Sequence, residues 1–263
     1  MFKEKLKSIL KKRLHPIVQN LGYTDNVLSN TLFQIPNEKD KQLYFLFNNL
    51  KKIGFSPKHI IDVGANHGTW TRETLKYFPN SYYTLIEPQS WLKSSFIDIL
   101  DANSKVCFIE CGAGAESGSF LFTIADRDDS CTFSYTKEEA IAAGYQQVEI
   151  PVVTLNEVVR NSSNLPFPDL VKIDAEGLDL EVLEGASELM GKTEVFLVEA
   201  SVFCKSLKNS LLNVVNYMDK QGYVLFEITD MNRPFNLEVL WLVELAFVKK
   251  GGIIDSYKVQ IDL

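Results

Sequence analysis

From residue 58 onward, short β-rich apolar runs alternate with helical patterns, and this alternation narrows the fold more than any other feature of the chain. The runs fall at 60–63, 82–86, 106–110, 170–173, 195–198, 223–228 and 245–248, and the helical patterns at 69–77, 91–102, 178–190 and 207–221. Strands that are apolar on both faces are covered on both faces, so the pattern predicts an α/β fold built on a parallel sheet. A further helix is expected at 40–53, where Leu43, Phe47 and Leu50 share a face. The interval 115–157 breaks the alternation. It holds a strand pair, 120–124 and 148–153, around the polar stretch Asp126-Arg127-Asp128-Asp129-Ser130. An excursion of this kind is either a carrier of substrate contacts or an exposed solvated loop.

The first 21 residues read differently. Phe2, Leu6, Ile9, Leu10, Leu14, Ile17 and Leu21 recur at helical spacing, and six basic residues against one acidic lie between Lys3 and Arg13. This is a surface helix packed on the main domain, or else a helix that docks an acidic carrier protein or an anionic surface. The same segment admits a homodimer. The expected division is a helical extension over 1–57 and a single α/β domain over 58–263.

Charge limits the function classes. The net charge of −7 and a pI near 5.1 supply no basic field for neutralising phosphates, so no nucleic-acid partner is expected. The longest apolar runs are five residues, such as 239–243, too short for a transmembrane helix. Cys107, Cys111, Cys131 and Cys204 form no CxxC pair, and no secretory apolar region precedes them. They read as reduced thiols in a cytoplasmic protein.

The chemistry concentrates in Ile60-Ile61-Asp62-Val63-Gly64-Ala65-Asn66-His67-Gly68-Thr69-Trp70. An apolar strand ends at Val63, a tight turn carries glycines at 64 and 68, and a helix opens at Thr69. Glycine there permits positive φ and close ligand approach, and Asn66 tolerates the left-handed region better than most residues. Glu87, 19 residues past Gly68, closes the next strand, where a carboxylate can accept from both hydroxyls of an adenosine ribose. A dinucleotide fingerprint wants glycines where this chain has Asn66 and Thr69. Asp62 suits a ligand bearing an ammonium. S-adenosylmethionine therefore fits better than NAD, and an NAD-dependent oxidoreductase or a non-catalytic cofactor-binding protein are the alternatives.

Several segments together resemble the FkbM-type S-adenosylmethionine-dependent methyltransferases. They are Asp62 to Gly68, Ile86-Glu87-Pro88, Gly112-Ala113-Gly114, Val152-Val153-Thr154-Leu155-Asn156-Glu157, Val171-Lys172-Ile173-Asp174-Ala175-Glu176-Gly177 and Glu181-Val182-Leu183-Glu184-Gly185-Ala186. The resemblance covers residues 58 to 250 and implies a Rossmann-like seven-stranded sheet of order 3-2-1-4-5-7-6 with strand 7 antiparallel. It also implies O-methylation of a small-molecule acceptor, a secondary metabolite or sugar. Asn156 departs from the family, which usually carries Asp there; a helix cap is served equally by either residue. The resemblance places Cys111 and Gly112 beside the adenine, and Gly64, Ala65, Asn66, His67, Gly68, Glu87, Pro88 and Asp174 around the donor. Asp174 and Glu199, ending two neighbouring strands, should converge near the sulfonium methyl, joined by Glu176 as a weaker candidate. Asp174 or Glu199 would deprotonate the acceptor or hold a divalent metal ion, and His67 in the loop is a third catalytic candidate. His15 and His59 read as structural or exposed.

Overall fold

The computed structural model describes residues 41–203, 208–233 and 239–258. The helix expected over residues 1–21, with His15, and also Cys204, lie outside the described residues. The chain divides into two units, Met1–Tyr44 and Phe45–Leu263. The sheet, the core and the cavity described below belong to the second.

Helix α1 (Lys41–Ile53) buries Leu46, Phe47 and Leu50. Phe47 packs edge-on against Phe78, with ring centroids 5.6 Å apart, and also meets Trp70 and Tyr77. Strand β1 (His59–Val63) leads through the glycine turn into α2 (Thr69–Tyr77), then β2 (Tyr82–Ile86). A 3-10 turn over Ser90–Phe96 and the short α3 (Ile97–Ala102) replace the continuous helix expected over 91–102, and β3 (Val106–Ile109) follows. The excursion carries β4 (Gly112–Ala113), β5 (Gly118–Ile124), a 3-10 turn at Asp128–Ser130, α4 (Lys137–Ala143) and β6 (Gln146–Val153). Helix α4 was not legible among polar residues, although Thr136 and Glu139 form a capping box at its start. The alternation then resumes with α5 (Leu155–Asn161), β7 (Leu170–Ile173), α6 (Asp179–Glu184), β8 (Val195–Ser201), α7 (Leu211–Lys220), β9 (Tyr223–Asn232) and β10 (Leu242–Lys249).

Seven strands form one sheet in the order β3-β2-β1-β7-β8-β10-β9. Strands β1, β2, β3, β7 and β8 are parallel, and β10 runs antiparallel to both neighbours. Counted within this sheet alone, the order is 3-2-1-4-5-7-6. Counted along the whole chain it differs, because β4, β6 and β5 make a second, three-stranded sheet. The central strands β1 and β7 are buried at every position, including the polar Asp62 and Lys172 that interrupt their apolar residues. Edge strand β9 leaves Leu225, Phe226, Ile228 and Met231 exposed.

The helix expected over 178–190 ends at Glu184. A Cβ on Gly185 would run into the Gly114 carbonyl oxygen, so the two glycine-bearing segments meet backbone to backbone. Asn156 fixes the next turn: its Oδ1 accepts from the Glu188 N–H at 2.9 Å and its Nδ2 donates to Ser187 Oγ at 3.0 Å. Asn156 therefore acts as a structural cap and does not line the cavity. His59 is buried at the amino end of β1, its ring bonded to the Pro166 carbonyl and Thr84 Oγ1.

Candidate active site

The chain leaves β1 through a turn whose shape is fixed by the backbone. Gly64 (φ 71°), Asn66 (φ 46°) and Gly68 (φ 73°) all adopt the left-handed region, and Gly68 caps α2. The N–H groups of Gly64 and Ala65 both donate to the Ile86 carbonyl, at 2.9 and 3.2 Å. A Cβ on Gly64 would strike the Asp174 carbonyl oxygen, so this glycine is required by close packing of the β1 and β7 ends as well as by its φ. Glu87, 2% exposed, clamps the turn: Oε2 accepts from the Asn66 N–H at 2.7 Å and Oε1 from the Gln89 N–H at 3.0 Å. Burial raises its carboxyl pKa, partly offset by those two amides.

These elements open onto a cavity of about 260 Å³ at the carboxyl ends of β1, β2 and β7. Gly64, Ala65, Asn66 and His67 line it from the turn, Glu87 and Pro88 from the end of β2, Cys111 and Gly112 from the chain after β3, and Asp174 from the end of β7. Burial raises the Cys111 thiol to about 11, so it is an apolar wall and not a nucleophile. Three expected site residues do not line the cavity: Asp62, Gly68 and Glu199. Asp62 is fully buried, accepts from Thr71 Oγ1 at 2.5 Å and lies 3.4 Å from the Lys172 ammonium. The ammonium that Asp62 faces thus belongs to the protein. Gly68 is turned away, where a Cβ would press on Phe96.

Lys172 went unnoticed in the sequence, because a lysine inside Leu-Val-Lys-Ile looks like a solvated interruption of a strand. It is 4% exposed and lines the cavity. Its Nζ lies 3.1 Å from Asp174 Oδ2 and donates to the Gly64 carbonyl at 3.1 Å. Burial disfavours its charge, but Asp174, Asp62 and Glu244 outweigh burial and hold it protonated. The excursion supplies the other unforeseen walls, namely Phe122, Asp128, Asp129, Thr132 and Phe133. His67 Nε2 lies 3.3 Å from Asp128 Oδ2, and Gln89 Nε2 donates to the Asp128 carbonyl at 2.9 Å, so the excursion is tied directly to the turn.

The cavity is acidic. Glu87, Asp128, Asp129, Asp174 and Glu176 line it, against Lys172 and a half-exposed His67. Nearby, half-buried Glu199 feels Asp174, Asp179 and Glu176, and burial first, then those carboxylates, push its pKa well above the usual range. Asp179 rises to about 7 for the same reasons. A metal ion does not fit this arrangement. The Asp174 carboxylate is held by the Lys172 ammonium, Glu199 does not reach the cavity, and no group of three His, Cys, Asp or Glu suited to a metal exists among the described residues.

The family profile described as the methyltransferase FkbM domain matches residues 62–225. "Methyltransferase 1" of Beauveria bassiana (strain ARSEF 2860) is 26% identical over 145 residues, covering 49% of this chain and 58% of that protein. The chain thus spans less than two thirds of that relative's length. A precorrin-6y C5,15-methyltransferase of Geobacter metallireducens superposes with a TM-score of 0.42 at 13% identity, covering 82% of this chain and 92% of that one. An rRNA methylase of Streptococcus thermophilus does so at 0.46 and 10% identity, covering 82% and 99%. With a profile match running from Asp62 on β1 to Leu225 on β9, the chain belongs to the FkbM methyltransferase domain family.

Proposed function

We propose that the chain transfers the methyl group of S-adenosylmethionine to a hydroxyl of a small molecule, a secondary metabolite or a sugar. The observation that carries the reading is the acidic cavity at the carboxyl ends of β1, β2 and β7. Five carboxylates against one lysine favour a donor that bears a sulfonium and an ammonium, and they oppose the doubly anionic pyrophosphate of NAD. When bound, the donor supplies an electrophilic methyl whose leaving group needs no acid. The chain's own task is to bind, orient and receive a proton.

Glu87 keeps free lone pairs beside its two amide bonds, and these would accept from the ribose hydroxyls. The turn 64–68, Pro88, Cys111 and Gly112 would enclose the nucleoside and amino-acid portions. The acceptor would enter past the exposed His67–Asp128 pair. Positioning alone contributes up to roughly 7–11 kcal/mol to such an in-line displacement. Of the three expected catalytic groups, Asp174 is engaged by Lys172, Glu199 does not line the cavity, and His67 faces Asp128.

The test is transfer of a labelled methyl from S-adenosylmethionine to a panel of phenols, sugars and amines. Label on oxygen supports the reading. Label confined to nitrogen acceptors, or donor binding without any transfer, would replace it with N-methylation or with the non-catalytic alternative.

A further inference from the structure

Five carboxylates line the cavity, and four of them have partners. Glu87 accepts from two backbone amides, Asp174 from Lys172, Asp128 lies on His67, and Asp129 is bridged by Arg127. The fifth, Glu176, has no hydrogen bond or ion pair to its carboxylate among the described residues. It is held at the backbone, where Thr132 Oγ1 donates to its carbonyl at 3.0 Å. Its backbone is also strained. With φ of 50° it is, with Asn66, one of two non-glycine residues in the left-handed region among the described residues, and it is followed by Gly177 at φ 95°. The conformation is unfavourable for a residue with a Cβ and persists only where the surroundings impose it. Here the Ala175 N–H donates to Asp179 Oδ1 at 3.0 Å, the Leu178 N–H to the Ala175 carbonyl at 3.2 Å, and Thr132 fixes the peptide between. A free carboxylate held at a cavity wall by a strained, over-determined turn is built to act on a ligand.

We infer that Glu176 is the catalytic base that takes the proton of the acceptor hydroxyl. This rests on the methyl-transfer reading above. As the acceptor O–H breaks, its proton passes to a Glu176 oxygen. The oxygen's pair forms the bond to the methyl carbon, the sulfur keeps the pair of the broken S–C bond, and the proton then leaves to solvent. Burial first, then Asp174 on β7, Asp179 on α6 and Asp129 in the excursion, raise the Glu176 carboxyl to about 8, with Lys172 opposing. Glu199 from β8, and Cys131 and Arg127 from the excursion, also feel its charge. A base poised there is matched to a weakly acidic hydroxyl.

The full chain saturated with S-adenosylhomocysteine, carrying carbon-13 carboxyl-labelled glutamate, gives the direct readout, with Glu176→Gln assigning the signal. The Glu176 signal should titrate near pH 8. Titration in the ordinary range of about 4–5 overturns the inference. With the acceptor panel and S-adenosylmethionine saturating for each protein, Glu176→Gln should transfer methyl at least ~100-fold more slowly than the unmodified protein, without the rise in rate through pH 8. Transfer within threefold of normal overturns the inference and leaves His67 as the base. Failure of the unmodified protein to bind S-adenosylmethionine would sink the methyl-transfer reading itself.

Discussion

At Lys172 one ammonium joins three segments: Asp62 on β1, the Gly64 carbonyl in the turn, and Asp174 at the end of β7. Removing it strands two carboxylates, one of them fully buried. Lys172→Met should therefore destabilise the fold by roughly 3–5 kcal/mol in urea unfolding, and adding Asp62→Asn should return part of that loss. Loss of less than ~1 kcal/mol would show that water, not Lys172, solvates Asp62. Gly64→Ala should also disrupt the turn, since its Cβ meets the Asp174 carbonyl. The turn itself, Glu87 and Asp174 could be read from strand ends and glycine spacing. Lys172 could not, because a buried cation is recognisable only once its two acidic partners, 110 and 2 residues away, are brought beside it. Glu176 is legible in the sequence only as the weaker candidate beside Asp174 and Glu199, since its left-handed backbone and lack of a partner arise from tertiary packing.

At the scale of elements, the parallel strands are legible because burial on both faces makes their residues mostly apolar, with Asp62 and Lys172 as the buried exceptions. The helices were less so. Apolar periodicity continues from Leu178 to Met190, yet Gly185 must sit on the Gly114 carbonyl and Asn156 caps the turn that follows, so α6 stops after six residues. Asn156→Ala should cost about 1 kcal/mol in denaturant unfolding and leave donor affinity unchanged. A change in affinity larger than threefold would make Asn156 part of the site. Gly185→Ala should be worse, and its effect should spread to Gly112 and Cys111 through the Gly114 segment. The excursion's role was an open question in the sequence, because nothing local in Asp126 to Ser130 shows that Asp128 meets His67 and Gln89.

Across the molecule, the concentration of buried acids makes stability depend on pH. Glu176, Asp179 and Glu244 have carboxyl pKa values raised to about 8, 7 and 7, chiefly by burial. Between the ordinary carboxylate range and those values the folded state binds more protons than the unfolded state, so their contribution to stability is lost as pH rises. Buried His59, whose pKa is lowered, acts in the opposite sense but only below about 6.5. The ligand-free protein should therefore melt at a lower temperature at pH 8.5 than at pH 6.5, and Asp179→Asn should reduce the difference. A melting temperature that rises over that interval would contradict the assigned directions. The same acids should make a cationic ligand more stabilising at the higher pH. Titration calorimetry with S-adenosylmethionine, run beside NAD and repeated on Glu87→Ala, tests the central claim most directly. The account predicts one saturable site for S-adenosylmethionine, no binding of NAD, and a loss of about 1.5–3 kcal/mol in Glu87→Ala. Binding of NAD in place of S-adenosylmethionine, or unchanged affinity in Glu87→Ala, would contradict it.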